Sequence, residues 1–408
     1  MRYFFLIIAV LFPGISSAQL SSPGSGAVRY TSYPSAPSVK DPVFIYCNTS
    51  GSQTGVLNAV SPGGNGPFNF SWYRWNDITK SFSDFIKNDP GIINSSINNL
   101  GEGGYKVIIS GGFDTSLVGW IFIDKPFALA ALQNRTCDYV ALKGMAVIDT
   151  FYYKNLSNGD PVKLPNAVKF MWSSDPTSTI PYPDLEINPQ TFDPPLVDVT
   201  YKLQVSDSFG CISESSFFYE SIHVKADFSV DPDKGEAPLE VAFTDKSIRG
   251  FKYLWEFGDG SKDSISELRN PEPHIYYKPG EYSVILTVTS EKYCTDSMRF
   301  EKIVVDPSEL KIPNVFTPDG DGLNDNFIVE SKSLRYISVE VFSRSGLKVY
   351  AFYGEGESLR AWKGWDGNIN NSSVKASPGV YFYIIHAYGW DNVNYNSKEE
   401  KGFVYLYR

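Results

Sequence analysis

Four stretches of this chain alternate apolar and polar residues around a tyrosine. They are G-G-Y-K-V-I-I-S at 103–110, V-T-Y-K-L-Q-V-S at 199–206, G-E-Y-S-V-I-L-T at 280–287 and G-V-Y-F-Y-I-I-H at 379–386. Successive side chains of an extended chain leave on opposite faces, so a period of two predicts strands with one buried face. The tyrosines, Tyr105, Tyr201, Tyr282 and Tyr381, recur at intervals of 96, 81 and 99 residues. Repetition at that interval predicts tandem β-sandwich domains. A tyrosine near the start of a late strand also predicts a corner-packing role in each domain.

The expected fold class is all-β, with four tandem immunoglobulin-like β-sandwiches behind a signal peptide. The chain has 408 residues, too many for one core, and is rich in strand and turn formers, with 26 Tyr, 33 Gly and 26 Pro. Residues 1–18 read as the signal peptide: Arg2 gives a positive start, Phe4 to Phe12 an apolar run too short to span a bilayer, and Ser16-Ser17-Ala18 a cleavage site. The first domain is expected at 28–125, with G-G-N-G-P-F-N-F-S-W at 63–72 placing a turn before a strand. The second is expected at 126–225, where Val168, Phe170 and Trp172 alternate. A net charge of -10 excludes nucleic acid as a partner, because phosphates require a surplus of Lys and Arg.

The third domain, 226–307, carries A-P-L-E-V-A-F-T-D, Y-L-W-E-F-G-D-G, P-E-P-H-I-Y and P-G-E-Y-S-V-I-L-T-V in order. It resembles a PKD domain. Trp255 and Phe257 are expected to point inward, and Gly258, Asp259 and Gly260 to turn the chain, with Asp259 bonding local amides. The last domain, 311–408, opens on P-N-V-F-T-P-D-G-D-G-L-N-D-N-F at 313–327. It continues with V-F-S-R-S-G-L-K-V-Y, W-D-G, P-G-V-Y-F-Y and a terminal G-F-V-Y-L-Y-R. These five motifs resemble the gliding-motility-associated C-terminal domain of Bacteroidota, the type B sorting domain of the type IX secretion system. They are carried by Pro313, Asn314, Phe316, Pro318, Gly320, Asp321, Gly322, Asn324, Asp325, Trp365, Asp366 and Gly367. The first domain resembles, in a degenerate copy, the repeat of large Bacteroidota surface adhesins.

Export permits disulfides, and four cysteines, Cys47, Cys137, Cys211 and Cys294, allow three pairings. Cys47 and Cys137 precede the second strand of their domains, whereas Cys211 and Cys294 follow the tyrosine strand. In an immunoglobulin-type sandwich those positions lie at opposite ends. A bridge within one domain would then exceed the roughly 7 Å between Cα atoms that a disulfide spans. The expectation is Cys47–Cys211 and Cys137–Cys294, each crossing a domain junction and stiffening it, with Cys137–Cys211 inside the second domain as the alternative.

Catalytic patterns are few. The three histidines, His223, His274 and His386, fall in different contexts, and the chain holds no G-x-S-x-G, H-E-x-x-H, C-x-x-C or P-loop. No enzyme is expected, and no cofactor beyond Ca2+. For that ion Asp319, Asp321, Asn324 and Asp325 offer hard oxygens within seven residues, although a cluster bonding its own amides explains them too. Trp72, Tyr73 and Trp75, and Trp362 with Trp365, are candidate surfaces for stacking on sugars.

The resemblances imply an exported, non-enzymatic rod. It would cross the inner and outer membranes, with the type IX machinery as partner, and reach the cell surface or medium. There domains one to three would serve adhesion, gliding or spacing, in contact with surface glycans or other adhesins. A polysaccharide-binding accessory protein is the alternative. The terminal strand is expected to leave an edge available for contacts.

Overall fold

A computed structural model of the chain describes residues 19–48, 54–61, 66–112, 114–265, 270–395 and 401–408. The signal peptide and the turn at 63–65 fall outside the described residues. The regular structure of the described residues is almost all strand, and the chain divides into two compact units, 1–221 and 222–408.

The first unit is built around a six-stranded sheet ordered Ala27–Tyr30, Pro42–Cys47, Thr115–Asp124, Gly103–Ser110, Phe68–Asn76 and Ser81–Ile92. One face packs on a three-stranded sheet of Gln19–Ser21, Gly55–Val60 and Asn94–Leu100. Strand pairing therefore starts ahead of the expected position 28. Phe70, Trp72, Val107 and Ile109 meet Leu57, Ala59 and Ile97 in this core. The other face is buried as well. Val43, Ile45, Trp75, Trp120 and Phe122 pack against Phe151, Tyr153, Leu164 and Phe209 from the second domain. The central strands are apolar through Pro42–Cys47 and through residues 117–123 of Thr115–Asp124, because both of their faces are covered.

The junction between the first two domains is thus a packed aromatic core, stiffened by more than the disulfide expected from the sequence. Polar ties cross it, the Ser32 amide donating to Tyr153 Oη at 2.8 Å and Lys154 pairing with Asp77 at 2.9 Å, while inside the core Trp120 Nε1 donates to Tyr33 Oη at 2.9 Å. The rest of the second domain has its own core. There Val140, Leu142, Trp172, Tyr201, Leu203 and Val205 lie between the sheets containing Phe127–Arg135 and Val199–Ser206.

In the second unit a three-stranded sheet, Phe228–Asp231, Leu239–Asp245 and His274–Tyr276, faces a five-stranded one around Trp255, Val241 and Leu286. The C-terminal part has a separate core of Phe316, Phe327, Val339, Trp365, Ile385 and Val404. Between them Ser333 forms a polar joint. Its hydroxyl donates to the Asp306 carbonyl at 2.7 Å and accepts from the Ala237 amide at 3.0 Å. Trp390, under the Arg335 guanidinium at 4.6 Å, packs against the neighbouring core.

Three of the four repeat tyrosines make the same corner. The hydroxyls of Tyr105, Tyr282 and Tyr381 donate to the carbonyls of Gly101, Lys278 and Ser377 at 2.8, 2.6 and 2.8 Å. Two residues before each stands a glycine, Gly103, Gly280 or Gly379, with φ of 138, 157 and 150°. Side chains other than hydrogen rarely adopt that backbone. Val199 holds this place before Tyr201, whose hydroxyl instead meets Ser178 Oγ at 3.3 Å. The copy at Tyr201 shares the strand pattern but not the corner.

Candidate functional site

The acidic loop of the last domain follows the short strand Val315–Phe316. Gly320 and Gly322, at φ of 86 and 88° with open space beside them, let the chain double back on itself. Asp319, Asp321 and Asp325 bring carboxylate oxygens within 4.8 Å of one another. Each is engaged locally: Asp325 accepts from Gly320 at 2.7 Å and Gly322 at 2.9 Å, Asp319 from the Asp321 amide, and Asp321 from Leu323. The Asn324 carbonyl accepts from Thr317 at 2.8 Å. The loop holds its shape by these bonds, with its carboxylates at or near the surface.

The remaining sorting-motif residues are architectural. Phe316, Phe327 and Trp365 are buried together, and Phe327 and Trp365 exchange backbone bonds of 2.8 and 3.0 Å. Asp366 caps Asn368. A side chain at Gly367 would press on Pro318 at 2.9 Å, so only glycine fits. The terminal Arg408 donates to the Gly367 and Ala376 carbonyls at 3.0 and 2.7 Å, tying the chain end to the W-D-G turn. The terminal strand Lys401–Leu406 lies between Gly379–Gly389 and Val315–Phe316, and the Tyr405 and Tyr407 amides bond Asn314 and Phe316. The edge expected to be available is covered there.

In the PKD-like motif Trp255 and Phe257 are buried, and Gly258 sits where a Cβ would strike the Ser283 carbonyl at 2.4 Å. Asp259 accepts from the Ser261 amide at 2.9 Å and faces His274 Nε2 at 2.8 Å, while the His274 ring stacks on Phe257 at 4.3 Å. Burial alone would raise the Asp259 carboxyl, but the bonds from Ser261 and His274 outweigh it and hold the carboxyl below its usual range. Ser261, His274 and Asp259 are the residue types of a hydrolase triad. Yet Ser261 Oγ, at 3.4 Å, and Asp259 both approach the same ring nitrogen, Nε2. A proton relay needs one partner on each nitrogen. This is a turn clasp.

The aromatic candidates are mostly core. Trp72, Trp75 and Trp365 are buried, and Trp72 and Trp75 face opposite sides of their sheet. Trp362 stacks on Phe352 at 4.8 Å and donates to Tyr350 Oη. Tyr73 packs edge-on against Phe85.

The sequence reading missed a second acidic group, at the junction of the first two domains. Asp124 ends the strand Thr115–Asp124 opposite Cys47, and Cys47 is bonded to Cys211 across the junction with a Cα separation of 5.2 Å. Cys137 and Cys294 are also oxidised. Asp207 caps the turn before Cys211, with one oxygen accepting from the Phe209 and Cys211 amides at 2.9 Å each and the other from Asn166 at 3.1 Å. Asp124 is fully buried, lies within 4.8 Å of the Asp207 carboxylate, and neither of its side-chain oxygens meets a donor. Burial, the facing Asp207 and the nearby Asp149 push its carboxyl up to about 8, against a smaller opposing pull from the Lys125 amide. The signal was present in W-I-F-I-D at 120–124. An aspartate that continues the Trp120–Phe122 face of a doubly covered strand must be buried.

Comparison with known proteins agrees with the modules seen here. A model of the CHU_C Type IX secretion signal domain matches residues 310–406, and a PKD domain model matches 223–305. The PKD1 domain of the Vibrio cholerae metalloprotease PrtV is 32% identical over 20% of this chain and 96% of its own, with a TM-score of 0.17. A tetra-tandem repeat from the extending region of a large adhesion protein is 11% identical, covering 87% of this chain and 96% of its own, at 0.28. The insect immune protein hemolin is 11% identical, covering 93% and 98%, at 0.23. No curated protein sequence matches the chain. The chain therefore carries a PKD domain and, C-terminal to it, a type IX secretion signal domain, the mark of a protein sorted by that route to the cell surface or the extracellular space.

Proposed function

We propose that this chain is a non-enzymatic surface or secreted protein whose residues 19–305 present an adhesive or spacing scaffold. Its C-terminal domain would be the part read by the outer-membrane secretion machinery. The observation that carries this reading is the sorting-signal match at 310–406 on a domain with its own closed core. The described clusters of polar side chains fit a scaffold: the Ser261–His274–Asp259 group clasps a turn, and the conspicuous tryptophans fill cores. An adhesive cargo needs a stiff frame more than a cleft, and the shared aromatic core of the first unit supplies one.

Cells producing the chain truncated after Pro307 test the sorting role. Retention of the truncated protein in the periplasm is expected, and unchanged export would refute it. Deleting the gene tests adhesion: loss of surface attachment or gliding is expected, whereas activity of the purified protein on a substrate would replace the reading.

A further inference from the structure

The Asp124–Asp207 pair is a poor arrangement for two bare carboxylates. Asp124 has no solvent exposure, Asp207 is 5% exposed, and the two face each other with Asp149 adding a third negative charge nearby. Charges removed from water must be compensated. The compensation here is one-sided: Asp207 is bonded by three N–H groups, whereas neither oxygen of Asp124 has a donor in bonding geometry, the adjacent Lys125 amide being given to Asp149 at 3.0 Å. A single shared proton would satisfy only one oxygen of Asp124. A divalent cation would engage both, take the remaining lone pair of Asp207 and cancel two charges at once. The donors are hard carboxylate oxygens. The one sulfur within reach, Cys211 Sγ, is locked in its disulfide and is not a thiolate. By hardness those donors select Ca2+ or Mg2+ over a soft metal, with the rest of the coordination shell left to further oxygens.

We propose that Asp124 and Asp207 hold a hard divalent cation of the Ca2+ class at the junction of the first two domains. The ion would close the end of the shared core that the Cys47–Cys211 bond already clips.

The test uses the mature, disulfide-intact chain, dialysed against EDTA and then melted with and without CaCl2. Three further variants are compared: Asp124→Asn, Asp207→Asn, which keeps an oxygen for the Phe209 and Cys211 amides, and a loop control, Asp319→Asn/Asp321→Asn/Asp325→Asn. Saturating CaCl2 should raise the melting temperature of the wild type and of the loop control by about 5 °C. Neither junction variant should respond, and Asp124→Asn should melt above the wild type in EDTA, because its amide relieves the facing charges and can donate to Asp207. Equilibrium dialysis with radioactive calcium on the wild type and loop control reads occupancy directly. It should find one ion retained in the loop control. No Ca2+ response in the wild type, a response that survives Asp124→Asn, or one lost only in the loop control would each overturn the site. A wild type blind to CaCl2 and an Asp124→Asn chain equally stabilised in both buffers would assign the pair to a shared proton instead.

Discussion

Asp319, Asp321 and Asp325 in one group, and Asp124 and Asp207 in another, each bring carboxylate oxygens within 4.8 Å, yet the two groups are made differently. The loop group lies within seven residues, at or near the surface, and every one of its aspartates accepts an amide of its own loop. The junction group joins residues 124 and 207 from two domains, is buried, and leaves Asp124 facing another acceptor. Local hydrogen bonding lets an acidic cluster stand alone in water. Burial without donors makes it depend on something else, whether covalent, ionic or protonic. The difference predicts how each group responds to substitution.

The largest effect should come from the covalent clip. Replacing Cys47 and Cys211 by alanine removes a link between residues 164 apart, which is expected to lower the stability of the first unit by about 4 kcal/mol. Calorimetry should show the transition of the first unit falling while that of the unit holding the acidic loop stays in place. Equal shifts in both would contradict the division. Peptide maps of the unreduced chain should contain Cys47 joined to Cys211, and the same digest checks the Cys137–Cys294 pairing expected from the sequence.

Next comes the aspartate itself. Asp207→Ala leaves the buried Phe209 and Cys211 amides without an acceptor and is expected to destabilise by about 3 kcal/mol. Asp325→Ala frees the Gly320 and Gly322 amides to water, so its effect should be about 1 kcal/mol or less. Urea denaturation of the two variants measures both, and equal losses would erase the distinction drawn here.

The same contrast explains what the sequence revealed. The loop was legible because its turn chemistry is local: glycines, a proline and aspartates in one run. The PKD-like and sorting motifs were legible for the same reason, each being a strand plus its turn. The tyrosine strands were legible as strands, but the corner depended on a glycine two residues upstream, present as Gly103, Gly280 and Gly379 and replaced by Val199. Reading the tyrosine alone made four corners where three exist. The shared core was missed because the hairpin at Tyr152–Lys154 and Pro161–Lys163, which covers the second face of the large sheet, comes far from that sheet in the chain. Its trace was the unbroken apolar run in Pro42–Cys47 and in residues 117–123, a pattern of strands covered on both faces. Followed to its end, that run marks Asp124 as buried.

The smallest effect belongs to Asp321→Asn, which sharpens the loop side of the comparison. The asparagine keeps a side-chain oxygen where Asp321 accepts the Leu323 amide at 2.8 Å, and the residue is exposed. Stability without added ions should therefore change by about 0.5 kcal/mol or less. Ca2+ binding at the loop is a separate matter, since it would use the charge and not only the oxygen. In a chain already carrying Asp124→Asn, calorimetric titration sees the loop alone. A dissociation constant on the order of 10⁻³ M is expected, as in weak extracellular sites, with the heat abolished by adding Asp321→Asn. If the Asp124→Asn chain gives no heat at all, the loop is a self-bonded turn and nothing more. If Asp321→Asn lowers stability as much as Asp207→Ala, local bonding is not what makes the exposed cluster self-sufficient.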